Sequence, residues 1–340
     1  MLIVNLSQNK SNLSYYISST LLESIEKNLK NKKKIILYLN KRWSFSSLVC
    51  EDCQYYYKCK NCDVSLTVHH NPDKVACHLC WASWNIPLSC HKCKWNHLKK
   101  IWVWTEQIEK SLRNYFKKNK INIFRFDLDS VKNKTEKVKA LKNLEEADII
   151  IATKMITTGF DFKNIGLIWI ILAEQEFSFP NYNSEEKAYI NIKQLIWRWN
   201  RMWDKTEIIM QTFIPENEII KSISEKIYKN FFIDTLTERK LFNYPPFTEM
   251  ITLEYRDKSE EKAINFMINL KNKLDLLNRE PSNPLIRREN NIEIILNKQC
   301  FKKYNQYFIK IILKWDKLRG FIENIKNEIF RNSNLSVIFE

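Results

Sequence analysis

The chain has 340 residues, enough for two or three domains that each bury a core of their own. Its formal charge of +16 suits a polyanionic partner such as nucleic acid, although a merely lysine-rich surface would produce the same excess. No apolar run reaches the length of a membrane span, so a soluble, cytoplasmic protein that engages no membrane is expected.

Residues 1–33 read as a polar linker with a helical stretch near Thr20–Leu29. Lys34–Asn40 is a short apolar run with the pattern of a buried strand, and 34–49 opens the first globular lobe. Residues 50–100 form a cysteine-rich insertion. Thr105–Lys117 has helical periodicity, with Glu106 and Glu109 at its start and Thr105 as its candidate N-cap. Strands at Ile121–Phe126, Asp148–Ala152 and Gly166–Leu172 follow, with a lysine-rich helix around Lys132–Leu144. Glu185–Ile196 reads as a helix, 197–203 as a turn and Glu207–Phe213 as a strand. The alternation predicts an α/β fold with a parallel sheet covered by helices on both faces. Glu218–Leu241 reads as one long amphipathic helix that stops before Tyr244-Pro245-Pro246, the strongest boundary signal, so this lobe is taken as 101–245. In 246–340 the pattern changes to strand Glu249–Tyr255, helix Glu260–Leu277, strands Ile292–Leu296 and Tyr307–Leu313, helix Lys317–Phe330 and strand Leu335–Phe339. That order is β-α-β-β-α-β, a small split-βαβ α+β domain.

Eight of the nine cysteines form four Cys-x-x-Cys pairs: Cys50/Cys53, Cys59/Cys62, Cys77/Cys80 and Cys90/Cys93. Each pair can hold two corners of a tetrahedral ion, so four pairs predict two four-cysteine zinc sites, with an iron–sulfur cluster as the rival. A disulfide framework belongs to small secreted domains and fits poorly a long chain with little cysteine elsewhere. Closed four-cysteine sites leave no open coordination position, so they hold a fold rather than hydrolyse a substrate. Spacing alone leaves the pairing order open.

Glycine is scarce, at 3 residues where ordinary usage predicts about 24, while tryptophan reaches 11. Trp43, Trp81, Trp102 and Trp104 stand at a strand end, after a cysteine pair and before a helix, where glycine chemistry is expected.

Taken in order, several stretches resemble the primosomal protein N′ (PriA) family of replication-restart helicases. Leu37-Tyr-Leu-Asn40-Lys-Arg42-Trp43 is similar to L-F-L-N-R-R-G, and Trp102-Val-Trp104-Thr105-Glu106 to G-x-G-T-E. Arg125-Phe-Asp127-Leu-Asp129 is similar to R-x-D-x-D, and Ala152-Thr153-Lys154-Met155 with Thr158-Gly159-Phe-Asp-Phe162 to helicase motif V. Gln194-Leu-Ile-Trp197-Arg198-Trp199-Asn200-Arg201 resembles motif VI, Q-V-A-G-R-A-G-R. Glu238-Arg239-Lys240 with Tyr244-Pro-Pro-Phe-Thr248 resembles E-R-R…L-P-P-W/F-T, and the four cysteine pairs match the family's zinc insertion.

The resemblance implies the C-terminal half of such a helicase. Residues 34–49 and 101–245 would form a RecA-like second motor lobe around the zinc insertion at 50–100, with 246–340 as the C-terminal domain and 1–33 between the lobes. It implies two Zn2+, one on Cys50, Cys53, Cys90 and Cys93 and the other on Cys59, Cys62, Cys77 and Cys80. It also implies that Arg198, Arg201 and Gln194 serve the ATP side. Thr105, Thr153 and Lys154 are candidates for contact with the nucleic-acid backbone, although a solvated lysine is the plain alternative. The partners implied are DNA forks, single-stranded DNA, primosome proteins and single-stranded-DNA-binding proteins, with 3′-to-5′ unwinding. A phosphate-cradling G-x-x-x-x-G-K-[ST] loop is absent, so ATP and Mg2+ are expected only together with a first motor lobe, and the chain alone is expected to be inactive as an ATPase. The alternatives are a non-catalytic zinc-ribbon scaffold for DNA or partner proteins, and a decayed helicase copy. The motif glycines that stand as Trp43, Trp81, Trp104 and Trp197, and the general glycine shortage, share one explanation if the source lineage reads UGA as glycine. In a decayed copy, losses would scatter over residue types instead.

Overall fold

The computed structural model describes residues 1–9, 13–14, 16–39, 46–53, 55–61, 64–69, 73–77, 80, 82–101, 103–126, 140, 142–157, 164–177, 181–200, 206–225, 228–279, 292–296, 300–303, 305–315 and 332–339. Outside these fall Asn40–Trp43, Trp81, Trp102, Asp127, Asp129, most of the helix expected around Lys132–Leu144, the 158–162 portion of motif V, Arg201, Trp203 and the expected helix Lys317–Phe330.

Two compact units form. The first comprises 1–58, 65–75 and 84–231, and the second 59–64, 76–83 and 232–340. The first unit is built on a parallel sheet. Its strands are β1 (Leu2–Asn5), β2 (Lys34–Tyr38), and, after the cysteine module, β8 (Ile123–Phe126), β9 (Ile149–Ala152), β10 (Ile165–Ile170) and β11 (Glu207–Thr212). The module contributes the short strands β3 (Ser47–Cys50), β4 (Thr67–His69), β5 (Lys74–Ala76), β6 (Ser83–Asn85) and β7 (Leu98–Ile101). The sheet order is β1-β11-β10-β2-β9-β8, and every pairing along it is parallel. Parallel strands are covered on both faces, so the inner ones need continuous apolar runs rather than alternation. Ile149–Ala152 and Ile165–Ile170 are accordingly buried throughout.

Helices α1 (Ser19–Lys30), α2 (Thr105–Tyr115), α3 (Glu174–Phe177), α4 (Ser184–Asn200), α5 (Glu218–Glu225) and α6 (Tyr228–Leu241) complete this part of the chain. α1 packs on β2 and β10, and α2 on β8 and β9. The approach of α1 is close at Gly166, where a Cβ would run into the Asn28 carboxamide and stand 2.7 Å from Lys33 Cβ. Glycine is required there by space.

Several sequence expectations change. The 1–33 segment is not a linker, because Leu2–Asn5 pairs in register with Ile209–Thr212 as an edge strand. Four residues with one buried side chain carry too little pattern to be read as a strand. The turn expected at 197–203 is helical as far as Asn200, since α4 runs four residues past the predicted end. Within Glu218–Leu241, Glu218–Glu225 and Tyr228–Leu241 are helical, and 226–227 lie outside the described residues. α2 begins at Thr105, but its N-cap is Trp104, not Thr105. The Gln107 side chain accepts the Trp104 N–H at 3.0 Å, while the indole has no acceptor to return to the helix. The division between units falls at Phe231/Phe232, ahead of the Pro-Pro signal.

In the second unit, β12 (Glu249–Asp257), α7 (Glu260–Arg279), β13 (Glu293–Leu296), β14 (Phe301–Lys303), β15 (Gln306–Trp315) and β16 (Leu335–Phe339) follow one another. The antiparallel sheet has the order β13-β15-β12-β16, with β14 as an added hairpin strand on β15. Leu253, Ile311 and Leu313 meet Met267, Leu270 and Leu274 of α7 in its core. On the opposite face of the sheet Lys314 is buried. Its ammonium lies 4.1 Å from the Tyr244 ring centroid and donates to the Phe242 carbonyl at 3.4 Å, which pins the 242–244 segment.

Candidate metal centre

The cysteine module leaves the sheet after β2 and returns before β8. β3 and β7 close its base as an antiparallel pair that sets Cys50 opposite Leu98 and Ser47 opposite Ile101. This places the first cysteine pair at the end of one strand and brings the fourth pair back beside it. The Cys50 N–H bonds to the Tyr55 carbonyl at 2.9 Å, and the Cys90 N–H to the Trp95 carbonyl at 2.6 Å, so both pairs sit in tight turns. The second of these turns needs a left-handed residue, and Lys94 takes it with φ 69°.

Cys50, Cys53, Cys90 and Cys93 have their sulfurs all within 4.8 Å of one another. The pairs interleave, with Cys50 Sγ 3.6 Å from Cys93 Sγ and Cys53 Sγ 3.6 Å from Cys90 Sγ. A second cluster joins Cys59, Cys77 and Cys80, with Cys59 Sγ 3.6 Å from Cys80 Sγ. Cys62 lies outside the described residues. A tetrahedral ion with 2.3 Å bonds to sulfur has an S···S edge of about 3.8 Å. Disulfide sulfurs lie at about 2.05 Å. The observed spacings match the edge of a metal site.

The electrostatics of the first cluster agree. Burial pushes the Cys50 thiol up to about 12, and burial likewise raises Cys53. At Cys90 burial also works upward, but the N–H groups of Cys93 and Lys92 and the thiols of Cys53 and Cys50 outweigh it and bring the group down to about 7. Four thiolates without a cation would repel one another in a buried site. A divalent ion supplies the charge that lets all four ionise. Further N–H···S contacts run from Lys92 to Cys90 at 3.4 Å and, in the second cluster, from Cys80 to Cys77 at 3.5 Å. Around the first site, His97 Nδ1 lies 3.0 Å from Asp52 and Lys99 bonds Glu51 at 2.9 Å. These contacts offset two acidic residues set between Cys50 and Cys53.

The other sequence candidates fall elsewhere. Gln194 and Arg198 lie four residues apart on α4, hence on one helical face. Gln194 is exposed and Arg198 half-buried. Thr153 and Lys154 follow β9, and α4, which carries Gln194 and Arg198, packs against the 3-10 turn Lys154–Thr157. Lys154 is exposed and Thr153 buried. The Thr105 side chain is fully buried, so the start of α2 offers backbone N–H groups rather than a hydroxyl. An acidic pair was missed by sequence reasoning. Glu174, fully buried in α3, accepts the Phe213 N–H at 2.5 Å, and burial raises its carboxyl to about 7. Glu176 accepts from Asn191 of α4 at 3.3 Å. The sequence signal was two carboxylates between an apolar strand and a helix, where acids can equally be solvated.

Comparison with known proteins points the same way as the motifs. Residues 59–83 match the model of the PriA DNA helicase Cys-rich region domain. The chain is 32% identical over 261 residues to replication restart protein PriA of Borreliella burgdorferi, covering 77% of this chain and 39% of that protein. It is 29% identical to PriA of Thermotoga maritima over 78% of this chain and 36% of that protein, and 27% identical to PriA of Rickettsia felis over 91% and 49%. The chain is similar to PriA proteins over about three quarters of its length. It spans less than half the length of these relatives. The PriA Cys-rich region model begins at Cys59 and covers Cys62, Cys77 and Cys80. These are the four positions that the resemblance assigned to the second zinc. Among the described residues, no helix is long and apolar enough to cross a membrane.

Proposed function

We propose that the chain supplies the second, RecA-like motor lobe and the C-terminal domain of an ATP-dependent DNA helicase of replication restart, completed by a first lobe that carries the phosphate-binding loop. Similarity to PriA over 77% of the chain carries this reading. Two zinc ions hold the module between β2 and β8 as a structural unit. Arg198 and Arg201 face the γ-phosphate across the cleft between lobes, with Gln194 on the Arg198 face of α4. A cation there stabilises the charge that develops as Mg2+-bound ATP is cleaved. Lys154, Thr153 and the N–H groups at the start of α2 hold the phosphate backbone of single-stranded DNA.

The test is reconstitution. The chain alone is expected to hydrolyse no ATP, and to do so in a DNA-dependent manner once joined to a first motor lobe of the family. Arg198→Ala is expected to lower kcat by about 10³-fold while zinc content stays unchanged. If the joined protein binds DNA with an affinity indifferent to nucleotide and turns over no ATP, the zinc-ribbon scaffold replaces the motor. If Arg198→Ala turns over at the parent rate, the arginine's assignment fails and the motor reading stands on the remaining residues.

A further inference from the structure

Several of the described tryptophans sit where an indole fits poorly. An indole is usually well buried, and its N–H usually finds an acceptor when it is. Trp84, Trp95 and Trp197 are instead 40%, 62% and 61% exposed. Trp169 and Trp315 carry indole N–H groups that are sealed from water and meet no acceptor among the described residues. Trp169 is the largest fully enclosed side chain in the described residues, in the strand of the parallel sheet that pairs with Leu37 and Ile209. Trp104 occupies an N-cap, a position that favours Ser, Thr, Asp, Asn or Gly because the cap side chain should accept a hydrogen bond or leave the turn free. The Trp104 backbone is ordinary, with φ −106°, so the mismatch there is one of side-chain chemistry and not of strain.

Composition points the same way. Nucleotide bias toward A and T would thin out glycine and proline together, since both use G- and C-rich codons. Proline stands at 8 where about 17 is usual, roughly half. Glycine stands at 3 where about 24 is usual, roughly one-eighth. Bias therefore accounts for the proline and leaves most of the glycine deficit unexplained, and it does nothing to raise tryptophan to 11. Exchanging all tryptophan for glycine would bring glycine to 14, about the same proportional depletion as proline.

We propose that Trp104, Trp169, Trp197 and Trp315 are glycine in the protein as its own host makes it, the host reading UGA as glycine. The last turn of α4 then carries glycine beside Arg198, open to close approach by an anion, and the cap of α2 carries a favoured residue. The inference holds whether or not the helicase reading does. The experiment is peptide mass spectrometry of the protein from its native host, covering these four positions, with the codons read from the gene. Glycine masses over UGA codons are expected. A tryptophan mass at any of the four, or UGG codons in the gene, would overturn the assignment.

Discussion

Glu174 is a carboxylate held where water does not reach it. Burial raises its pKa to about 7, against the N–H of Phe213 and the Thr212 side chain, which pull it down. The folded state therefore binds a proton more readily than the unfolded chain does. Its contribution is full below the ordinary carboxylate pKa and is lost as pH rises through about 7. Urea unfolding between pH 5.5 and 8 should show stability falling with rising pH, by about 2 kcal/mol from this group. Glu174→Gln, which keeps an acceptor for Phe213, should flatten that slope; an unchanged slope would place its origin elsewhere. The cysteines permit an equally sharp test. Cys53→Ser and Cys90→Ser should each reduce bound zinc from two ions to one, and the double variant should still hold one, because both touch a single site. Combining Cys53→Ser with Cys80→Ser should leave none. Zinc content of the purified variants checks this, and loss of both ions from Cys53→Ser/Cys90→Ser would refute the interleaved pairing.

At the scale of elements, the start of α1 is fastened from two sides. Ser18 caps it by accepting the Leu21 N–H at 3.0 Å and donates to Gln211 Oε1 at 2.9 Å, while Gln211 Nε2 bonds the Tyr16 and Ile171 carbonyls at 2.6 Å each. All of this is buried, so a missing partner costs more than one hydrogen bond. Ser18→Ala should destabilise the first unit by about 2 kcal/mol, read as a shifted denaturation midpoint at constant m-value. The strands and most helices were legible in the sequence because Lys34–Tyr38, Ile149–Ala152, Ile165–Ile170 and Glu207–Thr212 are apolar runs of strand length. β1 was not, because an edge strand buries only part of its surface and its partner Ile209–Thr212 is some two hundred residues away in sequence. The C-terminal end of α4 was also misplaced, since helix boundaries follow local caps and tertiary packing rather than periodicity, whereas the outer bounds Glu218 and Leu241 were read correctly.

At the scale of the molecule, the metal sites and the parallel sheet are separate sources of stability. The sheet core runs from Val4 to Phe231, draws most of its apolar contacts from the strands and their helices, and takes in Val49, Tyr56 and Ile101 at the base of the module. Among the described residues the module has only short strands, and it depends on its cysteine clusters to hold its turns. Chelation of zinc should therefore expose residues 46–101 to limited proteolysis while far-UV circular dichroism of the sheet and helices changes little. Concerted loss of all secondary structure would show that the clusters hold the lobe as well as the module.

By itself the sequence determined the cysteine pairs, the alternation that makes a parallel sheet, and the first helix and every strand of the second unit but β14. These are local patterns, and side-chain chemistry at fixed spacing reports them. Only the tertiary structure decided that Cys50 and Cys53 face Cys90 and Cys93, that Leu2–Asn5 completes the sheet, that Thr105 is buried and that Glu174 sits without solvent. Each of those depends on segments far apart in the chain meeting in space. No spacing along the sequence encodes such meetings directly, because register and burial emerge only when the core closes.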